Sequence, residues 1–282
     1  MKILIFIIIA TILIAFAACI DPTTESKKTK VEETEVAYLP EKDAEIQRNN
    51  LELQKKAATK RFPCDTLTLK EFILDAFPEG TYLVDFDKTL TYDIPKSAVI
   101  YPGEGYTFAV VAKSGADERL IEMKNVVGYE QSFIDLDSTE LGTPFFYLVL
   151  FECSKNSFNI VWETPIPSHG GFNSFSLENW QHKNTQYIRV NFHYAQGIGH
   201  INYNYFLIDG LTQIPHLLMT YKGINFRRTI TNYNNDEFPD YYEYVFYDTG
   251  DRVYIIDSVA FVWNIEEKVY VNTRNSKQTR QY

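Results

Sequence analysis

A chain of 282 residues, 45% of them apolar, is long enough to bury a sizeable core, which argues against a wholly disordered polypeptide. Its formal net charge of −10 repels polyanions and argues against nucleic acid as a partner. With 20 Tyr and 20 Phe, the aromatic content favours packed strands over long helices.

The chain opens on Met1 and Lys2, followed over residues 3–16 by an apolar run broken only at Thr11. This is the charged, apolar and small-residue order of a secretion signal. The run closes with Phe16-Ala17-Ala18-Cys19, which resembles the lipobox of bacterial lipoproteins, with Phe16 standing where Leu is usual. The resemblance implies cleavage after Ala18, removal of residues 1–18, and a lipid on Cys19. The chain would then be held at a membrane of the cell envelope, facing the periplasm or the exterior. An uncleaved membrane helix over residues 3–20 is the alternative, since that length is near the lower limit for spanning a bilayer. Lys27, Lys28 and Lys30 argue against it, because positive charge is usually kept on the cytoplasmic side.

Residues 19–61 are dominated by Thr, Glu and Lys and read as a flexible tether. Within it, 41–61 is rich in good helix formers but carries only a thin apolar stripe, which predicts an exposed helix. The folded domain is expected over 62–271. It begins with one short helix over 65–77, where Thr68 and Glu71 have capping-box spacing, Leu69, Phe72, Ile73 and Phe77 share a face, and Pro78 and Gly80 stop it. Strands are predicted at 107–113, 145–152, 158–163, 187–194, 201–208, 217–221, 241–247, 253–263 and 268–271. In the fourth of these, Ile188, Val190, Phe192 and Tyr194 fall on one face and Arg189, Asn191 and His193 on the other. Turn residues at 197–199 and 248–250 fit antiparallel connections. The tail, 272–282, is polar and is expected to fray. The fold class is therefore mainly β: an antiparallel meander, propeller-like or a β-sandwich.

With Cys19 assigned to lipid, Cys64 and Cys153 remain, in a compartment where disulfides persist. Their separation carries no pairing information, so a bridge and two buried thiols both fit.

The most specific internal pattern is Asn232, Asn234, Asp236 and Asp240, with the carbonyl of Phe238 between the last two. Oxygens recurring in this way on a tight loop suit a hard cation such as Ca²⁺, which takes six to eight oxygen ligands. The segment resembles the calcium loops of FG-GAP or VCBS-type repeats, which join strands of β-propeller blades. Asn232 stands where Asp is usual, and Glu237 where Gly is usual. The competing reading is a hairpin turn whose Asx side chains cap their own backbone. Fainter echoes begin at Asp85 and Asp135, and their spacing favours a propeller-like meander over a two-sheet sandwich.

Residues 82–91, with Asp85, Asp87 and Thr89, also resemble the first motif of haloacid-dehalogenase-type phosphatases. That resemblance implies a magnesium-dependent enzyme with Asp85 as nucleophile and Asp87 as general acid, on a parallel sheet with crossover helices. Helical periodicity after Thr91 is nearly absent, which argues against it. His169, His182, His193 and His200 lack the spacing of a zinc site. The reading favoured from sequence is thus a non-catalytic binding or surface-assembly module, anchored to the membrane through lipid, calcium-stabilised, with a protein or carbohydrate ligand.

Overall fold

A computed structural model describes residues 40–78, 80–84, 97–113, 145–155, 157–167, 171–194 and 199–280. Helix α1 spans Pro40–Ala57 and helix α2 spans Thr66–Ala76. The expected tether is therefore partly folded: Leu51 of α1 is buried, Arg48 pairs with Asp75 at 2.7 Å, and Lys55 pairs with Glu71. Residues 40–57 thus belong to the same compact unit as the strands, because the thin stripe of α1 has α2 to pack on. The start of α2 also differs in detail. Asp65, not Thr68, is the N-cap; its carboxylate accepts from Thr68 N at 2.8 Å, and Arg61 holds it from outside. Glu71 is turned to Lys55 instead of closing a capping box.

The strands form two antiparallel sheets. In the first, β1 (Thr81–Leu83) and β2 (Val99–Gly103) both pair with β3 (Tyr106–Lys113), which continues to β4 (Phe145–Ser154) and β5 (Ser157–Ile166). The second sheet has nine strands in strict sequence order. They are β6 (Gly171–Trp180), β7 (Thr185–Tyr194), β8 (Gly199–Phe206), β9 (His216–Lys222), β10 (Arg227–Thr231), β11 (Asp240–Asp248), β12 (Val253–Asn264), β13 (Val269–Asn272) and β14 (Thr279–Arg280). This is a meander within a sandwich, with one continuous nine-strand ladder in place of the small separate blades that a propeller-like arrangement requires.

Alternation explains the layering. One face of the first sheet, with Phe108, Val110, Leu148, Leu150 and Trp162, packs against Ile188, Val190, Phe192, Tyr203 and Tyr205 of the second. Two hydrogen bonds seal this interface: Trp162 donates to the Leu211 carbonyl at 2.9 Å, and Tyr205 to the Pro165 carbonyl at 2.8 Å. The other face of the first sheet, with Val111, Val149, Phe151 and Phe158, is covered by Leu69 and Ile73 of α2. A disulfide joins Cys64, just before α2, to Cys153 at the end of β4, with Cα atoms 6.1 Å apart. Gly105, at φ +79°, brings the β2–β3 turn against this strand end, and its carbonyl accepts from Cys153 N at 2.6 Å.

The second sheet bends at its middle. β9 and β10 share only two residue pairs, Arg227 with Lys222 and Arg228 with Tyr221. Buried Arg228 occupies the bend, its guanidinium 4.1 Å from the Tyr241 ring and 3.3 Å from Glu243. Beyond it, Tyr241, Phe261 and Tyr270 cluster with Tyr187, Phe206 and Leu218, which alternate with the sandwich-facing residues and so lie on the opposite face of β7–β9. The expected frayed tail is instead ordered to Arg280: β14 pairs with β13, and Asn272 accepts from the backbone of Arg274 and Asn275. Among the described residues no helix is long and apolar enough to cross a membrane.

Candidate functional site

The segment singled out in the sequence, residues 232–240, connects β10 to β11. Its fold follows from its Asx content. Asn235 takes a left-handed conformation at φ 62°, Asn234 Oδ1 accepts from Asp236 N at 3.1 Å, and Asp236 Oδ1 accepts from Phe238 N at 2.8 Å. Asn234 Nδ2 donates to the second Asp236 oxygen at 2.6 Å. Asp240 is fully buried; it accepts from Tyr233 N at 2.7 Å and Asn234 N at 3.3 Å through one oxygen, and from Trp263 N at 3.1 Å through the other. Burial raises its carboxyl above the ordinary range even though three N–H donors oppose the shift.

This geometry bears on calcium. Both oxygens of Asp236 and of Asp240 are engaged by N–H groups, so the set Asn232, Asn234, Asp236, Phe238 and Asp240 does not present converging free oxygens as folded. Within this set, Asn232 Oδ1 is the one side-chain oxygen buried without a hydrogen-bond partner among the described residues. Among the described residues no three His, Cys, Asp or Glu side chains gather into a metal-holding group.

What the loop does build is one wall of a groove. Phe238 leans over His216, with ring centroids 5.4 Å apart, and lies 6.2 Å from Trp263 at an interplanar angle of 34°. Trp263 in turn meets His216 edge-on at 4.5 Å and Tyr270 at 5.0 Å. The Tyr270 hydroxyl donates to the Pro239 carbonyl at 3.0 Å and lies 2.7 Å from His216 Nε2. A phenol has one proton, so the consistent assignment has His216 donating its Nε2–H to the Tyr270 oxygen. Burial pushes His216 down to about 4 and pushes the Tyr270 phenol well above its usual value. Both are neutral at pH 7 and serve to position the Phe238–Trp263 pair and the loop.

The groove has a volume of about 680 Å³ and lies open to solvent. Phe238, Trp263 and Ile265 supply apolar wall; Asp236, Glu237 and Glu266 supply carboxylates; among the described lining residues there is no Lys or Arg. The β12–β13 turn that carries Glu266 is held by Asn264 Oδ1, which accepts from Glu266 N at 3.0 Å and Glu267 N at 3.1 Å. Aromatic faces flanked by carboxylates suit a cation carried on an apolar stem, through quadrupole attraction and charge pairing together.

The chain matches no family model, no curated protein and no solved structure.

The remaining sequence candidates sit elsewhere. Cys19, Asp85, Asp87, His169 and both upstream loop echoes lie outside the described residues. The described strands are antiparallel throughout, unlike the parallel, helix-crossed sheet that the phosphatase resemblance implies. His182 contacts the edge of Trp180, whereas His216, absent from the histidines considered in the sequence, is the one beneath the groove. Trp263 and Glu266 were likewise unmarked. Their only signal was position: one lies next to the end of a strand and the other in the turn after it.

Proposed function

We propose that this chain is an exported, lipid-anchored binding module of the bacterial envelope, and that its groove takes a cationic group on an apolar stem, such as a lysine or arginine side chain of a partner protein. The observation that carries the ligand class is the lining: the carboxylates of Glu237 and Glu266 beside Phe238, Trp263 and Ile265, with no Lys or Arg among the described lining residues. The net charge of −10 favours the same kind of partner at longer range. The signal-like N-terminus, with Cys19 after two small residues, supports the anchoring.

Trp162 and Trp180 are buried, so changes in tryptophan emission report mainly on Trp263. Titrating the full chain with a tetralysine peptide should give a saturable change that weakens with salt, and Glu237→Gln with Glu266→Gln should weaken it roughly tenfold, as for loss of about 1.4 kcal/mol. An equal response to tetraglutamate, or none to tetralysine, would remove the groove reading. Cys19→Ser should leave an uncleaved precursor or release the chain from membranes. Normal processing with unchanged membrane partition would remove the lipid claim.

A further inference from the structure

The two rings that line the groove form a platform rather than a cage. Phe238 and Trp263, both half-buried, lie at an interplanar angle of 34° with centroids 6.2 Å apart. A third planar group does not fit between them, because it would need about 3.5 Å on either side, or about 7 Å in all. A ligand must therefore lie against ring faces that look in nearly the same direction. The rings set steeply to these two, His216 and Tyr270, support them from beneath and are not among the lining residues. One carboxylate fixes the spacing of the walls. Asp240, fully buried, accepts from Trp263 N through one oxygen and from Tyr233 N through the other, and so ties the loop that carries Phe238 to the strand that carries Trp263. The platform is ordered before anything binds, which lowers the entropic cost of using it.

We infer that the groove takes arginine in preference to lysine, with the guanidinium of a partner protein lying flat against the Phe238–Trp263 platform and Glu237 and Glu266 at its edges. This rests on the reading of the groove given above and narrows its occupant. The choice follows from how the two cations carry their charge. A guanidinium is planar and weakly hydrated, stacks on an aromatic face, and keeps its N–H donors in its own plane for carboxylates. An ammonium is compact and strongly hydrated, and gains most where water is excluded or rings enclose it. Neither condition holds here: the groove is open, and its two lining rings are within 34° of parallel. Beside exposed Glu237 or Glu266 an ammonium would make only a surface ion pair, weak and screened by salt. Both oxygens of Asp236 are already engaged by Asn234 Nδ2 and Phe238 N, which leaves the two glutamates as acceptors, one on each wall. Lys183, which reaches the same loop, bonds the Asn235 carbonyl at 3.1 Å and is not a lining residue.

The test compares two peptides of equal charge, dye-labelled tetraarginine and tetralysine, titrated against the full chain in detergent with binding read as anisotropy. Tetraarginine should bind about fivefold tighter, and the margin should widen as salt is raised, because stacking outlasts charge pairing. Trp263→Leu, which keeps apolar bulk and both glutamates, should bring the two affinities together. Phe238 lies in a loop, so Phe238→Leu, which should narrow the gap, serves where the strand-end variant does not fold. A gap left unchanged by Phe238→Leu, in a chain that melts as the unsubstituted one does, would assign the preference to the carboxylates and overturn the inference. Equal affinities in the unsubstituted chain would overturn it while leaving the groove reading intact. Binding of neither peptide would remove both.

Discussion

The two halves of the second sheet differ in what covers them. β7 to β9 are covered on the sandwich side by the first sheet and meet the aromatic cluster of β11 to β13 on the other, so residues such as Phe192 and Tyr203 are fully buried. β10 to β13 pack inward through Tyr241, Phe261 and Tyr270, while the loop and turn beside them form an open groove and their longest hairpin extends past its described neighbours. The first half is scaffold. The second offers surfaces, and its ordering depends on buried polar anchors, Arg228 at the bend and Asp240 under the loop, more than on interdigitated aliphatics.

If that contrast holds, Phe192→Ala should be the most damaging single change, because its ring touches Phe146, Phe172 and Tyr203 across the sandwich. A loss of about 3–5 kcal/mol in denaturant unfolding is expected, with all probes melting together. Asp240→Ala should cost about 3 kcal/mol by leaving three backbone N–H groups without their acceptor, and should disturb Trp263 emission before global unfolding. Calcium added to the unsubstituted chain should leave its melting temperature unmoved; a rise that Asp236→Ala removes would show that the loop opens to the ion.

A further effect is pH-dependent. His216 is held at about 4 against an ordinary 6.5, so the folded chain resists its protonation. The stability this contributes is complete above pH 6.5 and is lost as pH falls through that value toward 4, up to about 3 kcal/mol in all. His216→Gln, which keeps a donor toward Tyr270, should flatten that window. Asp240 has the opposite sign: its raised value disfavours the charged form in the fold, so its contribution declines as pH rises through the carboxylate range. An unchanged pH profile in the His216 variant would place the residue in water rather than under Trp263.

Much of the strand content was legible because alternating Tyr, Phe, Val and Ile mark pleated, half-buried segments: the predicted 187–194 and 253–263 fall on β7 and β12. Two of the strands that escaped notice, β6 and β10, lack that mark. β6 interleaves Ser and Asn with its apolar residues and forms the sheet edge, where Asn173 reaches Asn191 at 2.5 Å. β10 reads Arg-Arg-Thr-Ile-Thr, and nothing local announces that Arg228 will be buried between two tyrosine rings. The 232–240 loop was legible as a special turn, but not as the wall of a groove.

The β class, the short helix before it and the apolar faces of the strands were readable from the residues alone, because those depend on neighbours two to eight residues apart; the Asx loop was readable only as a special turn, with a cation site and self-capping both open. Only the tertiary structure decided that Cys64 meets Cys153, that α1 docks on α2, that the nine-strand sheet bends at Arg228, and that Phe238 and Trp263 face a common opening above His216. Those contacts join residues tens of positions apart, and their register is set by how twisted sheets pack, which no local pattern encodes.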